Sequence, residues 1–467
     1  SLLHGGHWAF YYILWNSGTH HQGIISPDQT VHGGYKDLAK DEFSDIKNGI
    51  GKLFIETKFS HDGICFPYSH SSILASQVLG LARTGNLYSQ KTLIQDIGYQ
   101  HRTLSYEQIK SGELKNFKVL ILPSTICLSK GEIDSIKEFV RNGGVLIADY
   151  MPGVRDEHGK LYGKIGPLDE VFGIDRSKAE FIKRKMKLKF LKESIFGEKE
   201  LEMNIAETGI KTITGKNMAL FEDGTPALIF NNYGKGKAIY LNLEISDYAG
   251  MKAKGVAGEV IEEEKGEADY LETIQNIFEE ILKNAGLKKR VEIYSGERQL
   301  NLGERFYYTE GENLYFAYIP DVRKETKVKI KIDKKAHIYD LRNKKYIGNT
   351  DNFEDVLKPG NVKVYSILPY KVVDIDGNLK AKYKQGEDFQ INLKIKTDTG
   401  KTGKHILRME IYKDGKNKKA YNKNLVAEKG ELKYIIPLSY NEEKGDYQII
   451  VRDINSGIEK TFKFKVE

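Results

Sequence analysis

Val119-Leu120-Ile121-Leu122-Pro123-Ser124 opens a passage that continues through Ser129, the segment Lys130 to Arg141, Gly143-Gly144 and Val145-Leu146-Ile147-Ala148. Two unbroken apolar runs flank a segment whose apolar residues, Ile133, Ile136, Phe139 and Val140, recur at helical spacing. Ser129 stands where an N-cap belongs, and Gly143-Gly144 stops the helix. A strand that is apolar at every position has no solvent face, so both of its sides must be covered. The passage therefore predicts a βαβ unit in a parallel sheet with helices on both faces.

Upstream, Gly63 to Phe66 reads as a short buried strand and Ser72 to Arg83 as a helix. Thr92 to Ile97 fits a strand or part of a helix. Ser105 is placed to cap a short helix over Tyr106 to Ser111. Downstream, residues 180–245 turn to strands. Ala227 to Phe230 and Ala238 to Leu241 flank the turn sequence Asn232-Tyr233-Gly234-Lys235-Gly236-Lys237, a hairpin signal. Tyr270 to Asn284 is a helix with Ile274, Ile277, Phe278 and Ile281 inward; it is expected to end at Gly286 and pack back on the parallel sheet. The acidic, glycine-rich stretch 252–267 reads as a mobile loop.

From 290 onward the helical period is gone. Val328 to Ile332, Asn392 to Lys396 and Thr461 to Val466 alternate with period two. Asp376-Gly377, Asp414-Gly415 and Lys444-Gly445 read as turns between strands, and Pro369 to Val373 as the junction of two all-β units. At the other end, Ala9 to Leu14 reads as a buried strand and Tyr35 to Phe54 as a helix with one apolar face. One strand and one helix cannot bury a core alone, so this segment reads as the last β/α unit of something larger. Ser1 in place of Met, directly before an aromatic apolar run, suggests a cut chain whose export signal would lie upstream.

With 467 residues the chain suits three or four domains. No apolar run reaches the length of a membrane span. The net charge of +7 is concentrated at the end: Lys371 to Glu467 holds 21 basic and 15 acidic residues. That excess alternates along strands and contains no Arg-rich cluster, so a nucleic-acid partner is not expected. Cys65 and Cys127 are too few for a disulfide framework or a zinc site and read as buried thiols. Cys127 lacks the glycine neighbours and the downstream His-x-Glu of an amidotransferase nucleophile. No cofactor and no metal are expected.

The segment 117–174 resembles the trimerisation domain of family 42 β-galactosidases. The resemblance rests on Val119 to Ser124, on Phe139-Val140-Arg141-Asn142-Gly143-Gly144, and on the run Val145 to Glu157. It continues through Gly163, Gly166-Pro167-Leu168 and Val171-Phe172-Gly173-Ile174, with the Gly-Lys-Gly turn of the hairpin as a further match. It implies a remnant of a (β/α)8 barrel at 1–58, a flavodoxin-like, amidotransferase-like trimerisation domain at 59–288 and an all-β domain at 289–370. The unit 371–467 departs from the family's order, and its strand pattern alone resembles bacterial immunoglobulin-like β-sandwiches. The fold class expected is α/β plus all-β.

The resemblance also implies that the two catalytic carboxylates of a retaining glycosidase come from barrel strands upstream of residue 1. No catalytic residue is therefore expected here. If Ala9 to Leu14 is the eighth barrel strand, Trp15, Asn16, His20 and His21 lie at the barrel mouth and would contact sugar. His4, His7 and His32 lie nearby, as do Trp8, Tyr11 and Tyr12. Asp28 reads as a turn residue. The family has a Glu and a His in this loop, whereas Gly18-Thr19-His20-His21-Gln22-Gly23 has no Glu. The expected function is the C-terminal part of a β-galactoside hydrolase, inactive alone, forming a homotrimer through the flavodoxin-like domain. The alternative is a non-catalytic carbohydrate-binding or cell-surface scaffold. An extracellular or cell-surface location is expected, with the cytoplasm as the alternative.

Overall fold

The computed structural model describes Leu3, Thr30 and residues 42–81, 83–192, 194, 196, 200–257 and 265–467. The strand read at Ala9 to Leu14 and the start of the following helix lie outside the described residues.

A ten-stranded mixed sheet organises the first half. Its strands in chain order are β1 (Ile64–Tyr68), β2 (His101–Ser105), β3 (Val119–Leu122), β4 (Val145–Ala148), β5 (Glu180–Phe190), β6 (Glu200–Thr208), β7 (Lys216–Phe221), β8 (Pro226–Tyr233), β9 (Gly236–Leu241) and β10 (Leu243–Glu244). Across the sheet the order is β10-β6-β5-β7-β8-β9-β4-β3-β1-β2. β2, β1, β3, β4 and β9 are parallel, and the remaining pairs are antiparallel. The parallel half has the 2-1-3-4-5 order of a flavodoxin-like sheet, with its switch point between β1 and β3.

The apolar runs explain the layering. Val119, Ile121, Val145 and Ile147 enter one hydrophobic cluster with Leu93, Ile94, Ile277, Phe278 and Ile281. Leu120, Leu122, Leu146 and Ala148 enter another with Ile109, Ile133, Ile136, Phe139 and Val140. Alternate residues of one strand thus face opposite helical layers. The helix Lys130–Arg141 begins with a full capping box between Ser129 and Glu132, and Ser105 and Gln108 form the same device before Tyr106–Lys110. At the β8–β9 hairpin, Gly234 has φ +60°. A Cβ on Gly236 would lie 2.1 Å from the Val140 carbonyl oxygen. The glycines let the turn press against the end of the preceding helix, where Lys235 N–H donates to the Arg141 carbonyl.

Of the two readings of Thr92 to Ile97 the helix holds, since Thr92 to Asp96 close the helix Arg83–Asp96. Several other local readings need correction. The helix read to Arg83 ends at Val78. Strand β2 has no counterpart among the elements read from the sequence. The stretch read as a loop from 252 begins inside a helix, Tyr248–Ala257, and the final helix already starts at Lys265. The helix read from Tyr35 to Phe54 is broken, because Gly49 has φ +137° and interrupts it before Gly51–Glu56. Phe43 and Ile46 are exposed rather than inward. Asp376-Gly377 lies inside the strand Val372–Asn378, not in a turn.

The second half is all β. An eight-stranded sheet spans Val291 to Leu368 and takes Lys58–Phe59 as an edge strand against Tyr308–Thr309. A three-stranded and a six-stranded sheet hold residues 372–466. Period-two burial in Asp388–Thr397 matches the alternation of its sequence. One cluster joins Ile50, Leu53 and Phe54 to Phe306, Tyr308, Ile391, Ile406 and Ile454. The two halves are bolted together by Arg290 on Asp62 at 2.6 Å, by Arg305 on the Asp96 carbonyl at 2.8 Å and by Lys289 on Glu279 at 2.7 Å.

Candidate functional site

Open α/β sheets bind ligands beyond the carboxyl ends of their strands, at the switch point. Here that edge is filled by buried polar networks. Ser124 follows β3 at φ +43°, the sharp turn that in hydrolases displays a nucleophile. Its hydroxyl, however, donates to the Tyr150 hydroxyl at 2.8 Å and accepts from Asn86 Nδ2 at 2.7 Å. Its N–H donates to Asp149 Oδ1 at 2.6 Å. Gln90 Nε2 and Asn86 Nδ2 donate to the other Asp149 oxygen. Burial pushes the Asp149 carboxyl up to about 8, against the pull of these donors. Ser124 has no accessible surface, so it cannot reach a substrate.

Cys127 behaves as its surroundings predict. It is buried, Ser69 and Ser72 hydroxyls donate to its carbonyl, and its N–H donates to Ser72 Oγ at 2.9 Å. Cys65 is buried beside the Val119 carbonyl, and burial raises its thiol pKa well above the usual range. Neither cysteine is in a disulfide.

Beside β4 and β9 a second cluster joins Arg176 to Glu207 and, at 3.6 Å, to Asp169. Tyr240 donates its hydroxyl proton to Glu207, and Glu207 N–H donates to Asn242 Oδ1 at 2.8 Å. Burial lifts the Asp169 carboxyl to about 6, partly offset by Arg176. These side chains pair with one another, which suits a structural role. Sequence reading missed both clusters, since the members of each are scattered over many tens of positions.

Two open surfaces of the α/β half stand out among the described residues. One is a groove of about 1490 Å³ beside the edge strand β2. The other carries exposed apolar side chains: Tyr68 at the end of β1, Leu74, Val78 and Leu79 on and after the helix His70–Val78, and Tyr106 after β2. Val78 is 87% exposed and Leu74 51%. Leu74 and Val78 are one helical turn apart and share a face. The residues predicted to contact sugar, Trp15, Asn16, His20 and His21, lie outside the described residues, as does Asp28. Among the described residues no group of three or more His, Cys, Asp or Glu is arranged to hold a metal ion, and no helix is long and apolar enough to cross a membrane.

Residues 108–258 match the family model described as the β-galactosidase trimerisation domain. β-Galactosidase LacA of Lactobacillus acidophilus is 28% identical over 135 residues, which is 28% of this chain and 20% of that protein. β-Galactosidase BgaB of Geobacillus sp. is 29% identical over 139 residues, again 28% of this chain and 20% of the relative. The fold extends further than the sequence match. The β-galactosidase of Bacillus circulans sp. alkalophilus superposes with a TM-score of 0.59 at 15% identity, covering 76% of this chain and 49% of that one. A catalytic mutant of Gan42B, a family 42 β-galactosidase of G. stearothermophilus, gives 0.58 at 17% identity over 78% and 49%. The chain thus spans about half the length of these solved relatives. Residues 108–258 are thus similar to the β-galactosidase trimerisation domain, and the fold is similar to that of the family 42 β-galactosidases.

Proposed function

We propose that the chain is the C-terminal part of a glycoside hydrolase acting on β-galactosides or related oligosaccharides, and that it assembles as a homotrimer. In this reading both catalytic carboxylates belong to barrel strands upstream of Ser1, and Trp15, Asn16, His20 and His21 complete the sugar pocket at the barrel mouth. The chain alone would bind and assemble but not hydrolyse. The observation that carries the reading is the match of residues 108–258 to a trimerisation domain, on a fold whose switch point is plugged by Asp149, Asn86 and Ser124 rather than equipped for chemistry. The exposed face around Leu74 and Val78 is the surface offered to the neighbouring copies. An extracellular or cell-surface location is part of the same proposal.

The test is hydrolysis of a chromogenic β-galactoside. The isolated chain is expected to be inactive, and a longer form with the whole barrel active. Activity of the isolated chain would overturn the assignment of the carboxylates. The second reading is a non-catalytic carbohydrate-associated scaffold. It is favoured by the missing Glu in Gly18 to Gly23 and by the added β-sandwich, and inactivity of the longer form would establish it.

A further inference from the structure

The groove beside β2 is lined by three segments that the fold brings together. Tyr88, Lys91 and Gln95 come from one face of the helix Arg83–Asp96, His101 and Arg102 from the edge strand, and Lys58 and His61 from the segment before β1. Glu304, Asp321 and Lys252 complete the lining from the all-β half and from the helix Tyr248–Ala257. Lys252 is committed to Asp96 at 2.7 Å and to Asp321 at 3.1 Å. Lys58, Lys91, Arg102 and Lys252 outnumber Glu304, Asp321 and the Asp96 carboxylate behind them, so the groove carries a small excess of positive charge.

Two of its donors are held in place. Lys91 Nζ is held by Thr103 Oγ1 at 2.9 Å and lies over the Phe66 ring. His61 stacks on Phe117 with centroids 4.5 Å apart, and its Nδ1 accepts the Gly63 N–H at 3.1 Å. That bond fixes the proton of the neutral ring on Nε2. Burial, with Arg102 and Arg290 nearby, keeps His61 neutral. The lining therefore offers a fixed imidazole N–H, a guanidinium and an ammonium. Such a set recognises the oxygens of a carboxylate or sulfate. At about 1490 Å³ the groove exceeds the ~300–1,000 Å³ of small-molecule pockets. Tyr88, 66% exposed, adds an aromatic face of the kind that stacks on a sugar ring.

We infer that this groove binds an oligosaccharide carrying carboxylate or sulfate groups. The saccharide part rests on the function proposed above, and the oxyanion part on the groove alone. The test is calorimetric titration of the chain at low salt with four probes: oligogalacturonate, a sulfated galacto-oligosaccharide, a neutral galacto-oligosaccharide and polyaspartate. Saturable binding of one of the charged saccharides is expected, weakened about tenfold by Arg102→Gln and further by added salt. Binding should also raise the His61 pKa in an NMR titration. The neutral sugar should not bind. Arg102 is exposed, so the variant should fold; circular dichroism checks it. Absence of binding by both charged saccharides, binding undiminished in R102Q, or equal binding of polyaspartate would overturn the inference. β-Galactoside hydrolysis is scored separately, so failure of the enzymatic reading leaves a different record.

Discussion

Asp149 occupies the place where a doubly wound sheet would admit a ligand, and it is wholly enclosed. Its native pKa of about 8 lies above the ~3.9 of the unfolded chain. Between those values the native state holds a proton that the unfolded chain has released. The contribution is therefore complete below about pH 4 and is lost as pH rises toward 8, at up to about 1.4 kcal/mol per pH unit. Asp149→Asn should remove that slope without unfolding the protein, because the Asn86 and Gln90 amides can turn to pair with it. Urea titrations between about pH 5 and 7.5, inside that window, measure this, and an unchanged slope would sink the claim. Arg176 makes the opposite case. Its removal leaves Glu207 and Asp169 buried without their cation, so Arg176→Ala should cost about 3–5 kcal/mol in the same titrations. A loss below about 1 kcal/mol would mean that water reaches the cluster.

At the scale of elements, the parts most legible in the sequence were those whose local chemistry agrees with their burial. The helix Lys130–Arg141 has a cap, a stop and an apolar stripe, and both flanking strands are apolar throughout. Ser129→Ala should cost about 1 kcal/mol by thermal or urea unfolding. Gly236→Ala should cost more, since its Cβ would meet the Val140 and Gly144 backbone oxygens. Strand β2 was illegible because it is an edge strand whose residues, His101-Arg102-Thr103-Leu104-Ser105, bury only Leu104 fully. The helix Arg83–Asp96 was obscured for a related reason. Part of its inward face is polar, with Asn86, Ser89 and Gln90 turned toward Asp149 and Ser246. A period search for apolar residues cannot see a helix that buries amides. Gly49 broke a helix that periodicity had joined, because its positive φ leaves no mark in a hydrophobic pattern.

On the scale of the whole molecule, the α/β layer followed by β sheets was readable from the change of period near residue 290. The sharing of one core was not. Ile50, Leu53 and Phe54 pack with residues from both β regions, and Ile454 of the last β region approaches Gly49 closely. Removal of 371–467 should therefore expose this helix and lower the melting temperature of what remains; an unchanged melt would show the last β region to be a loosely tethered addition. The sugar-contact residues Trp15, Asn16, His20 and His21 stay an inference from sequence, while the exposed Leu74–Val78 face came only from the structure. In the proposed reading, assembly runs through that face. Light scattering on the purified chain tests it most directly. A mass three times the 53.2 kDa of one chain is predicted, falling to one chain in the Leu74→Asp, Val78→Asp double variant. A monomer at high concentration, or a trimer untouched by the double variant, would contradict the account.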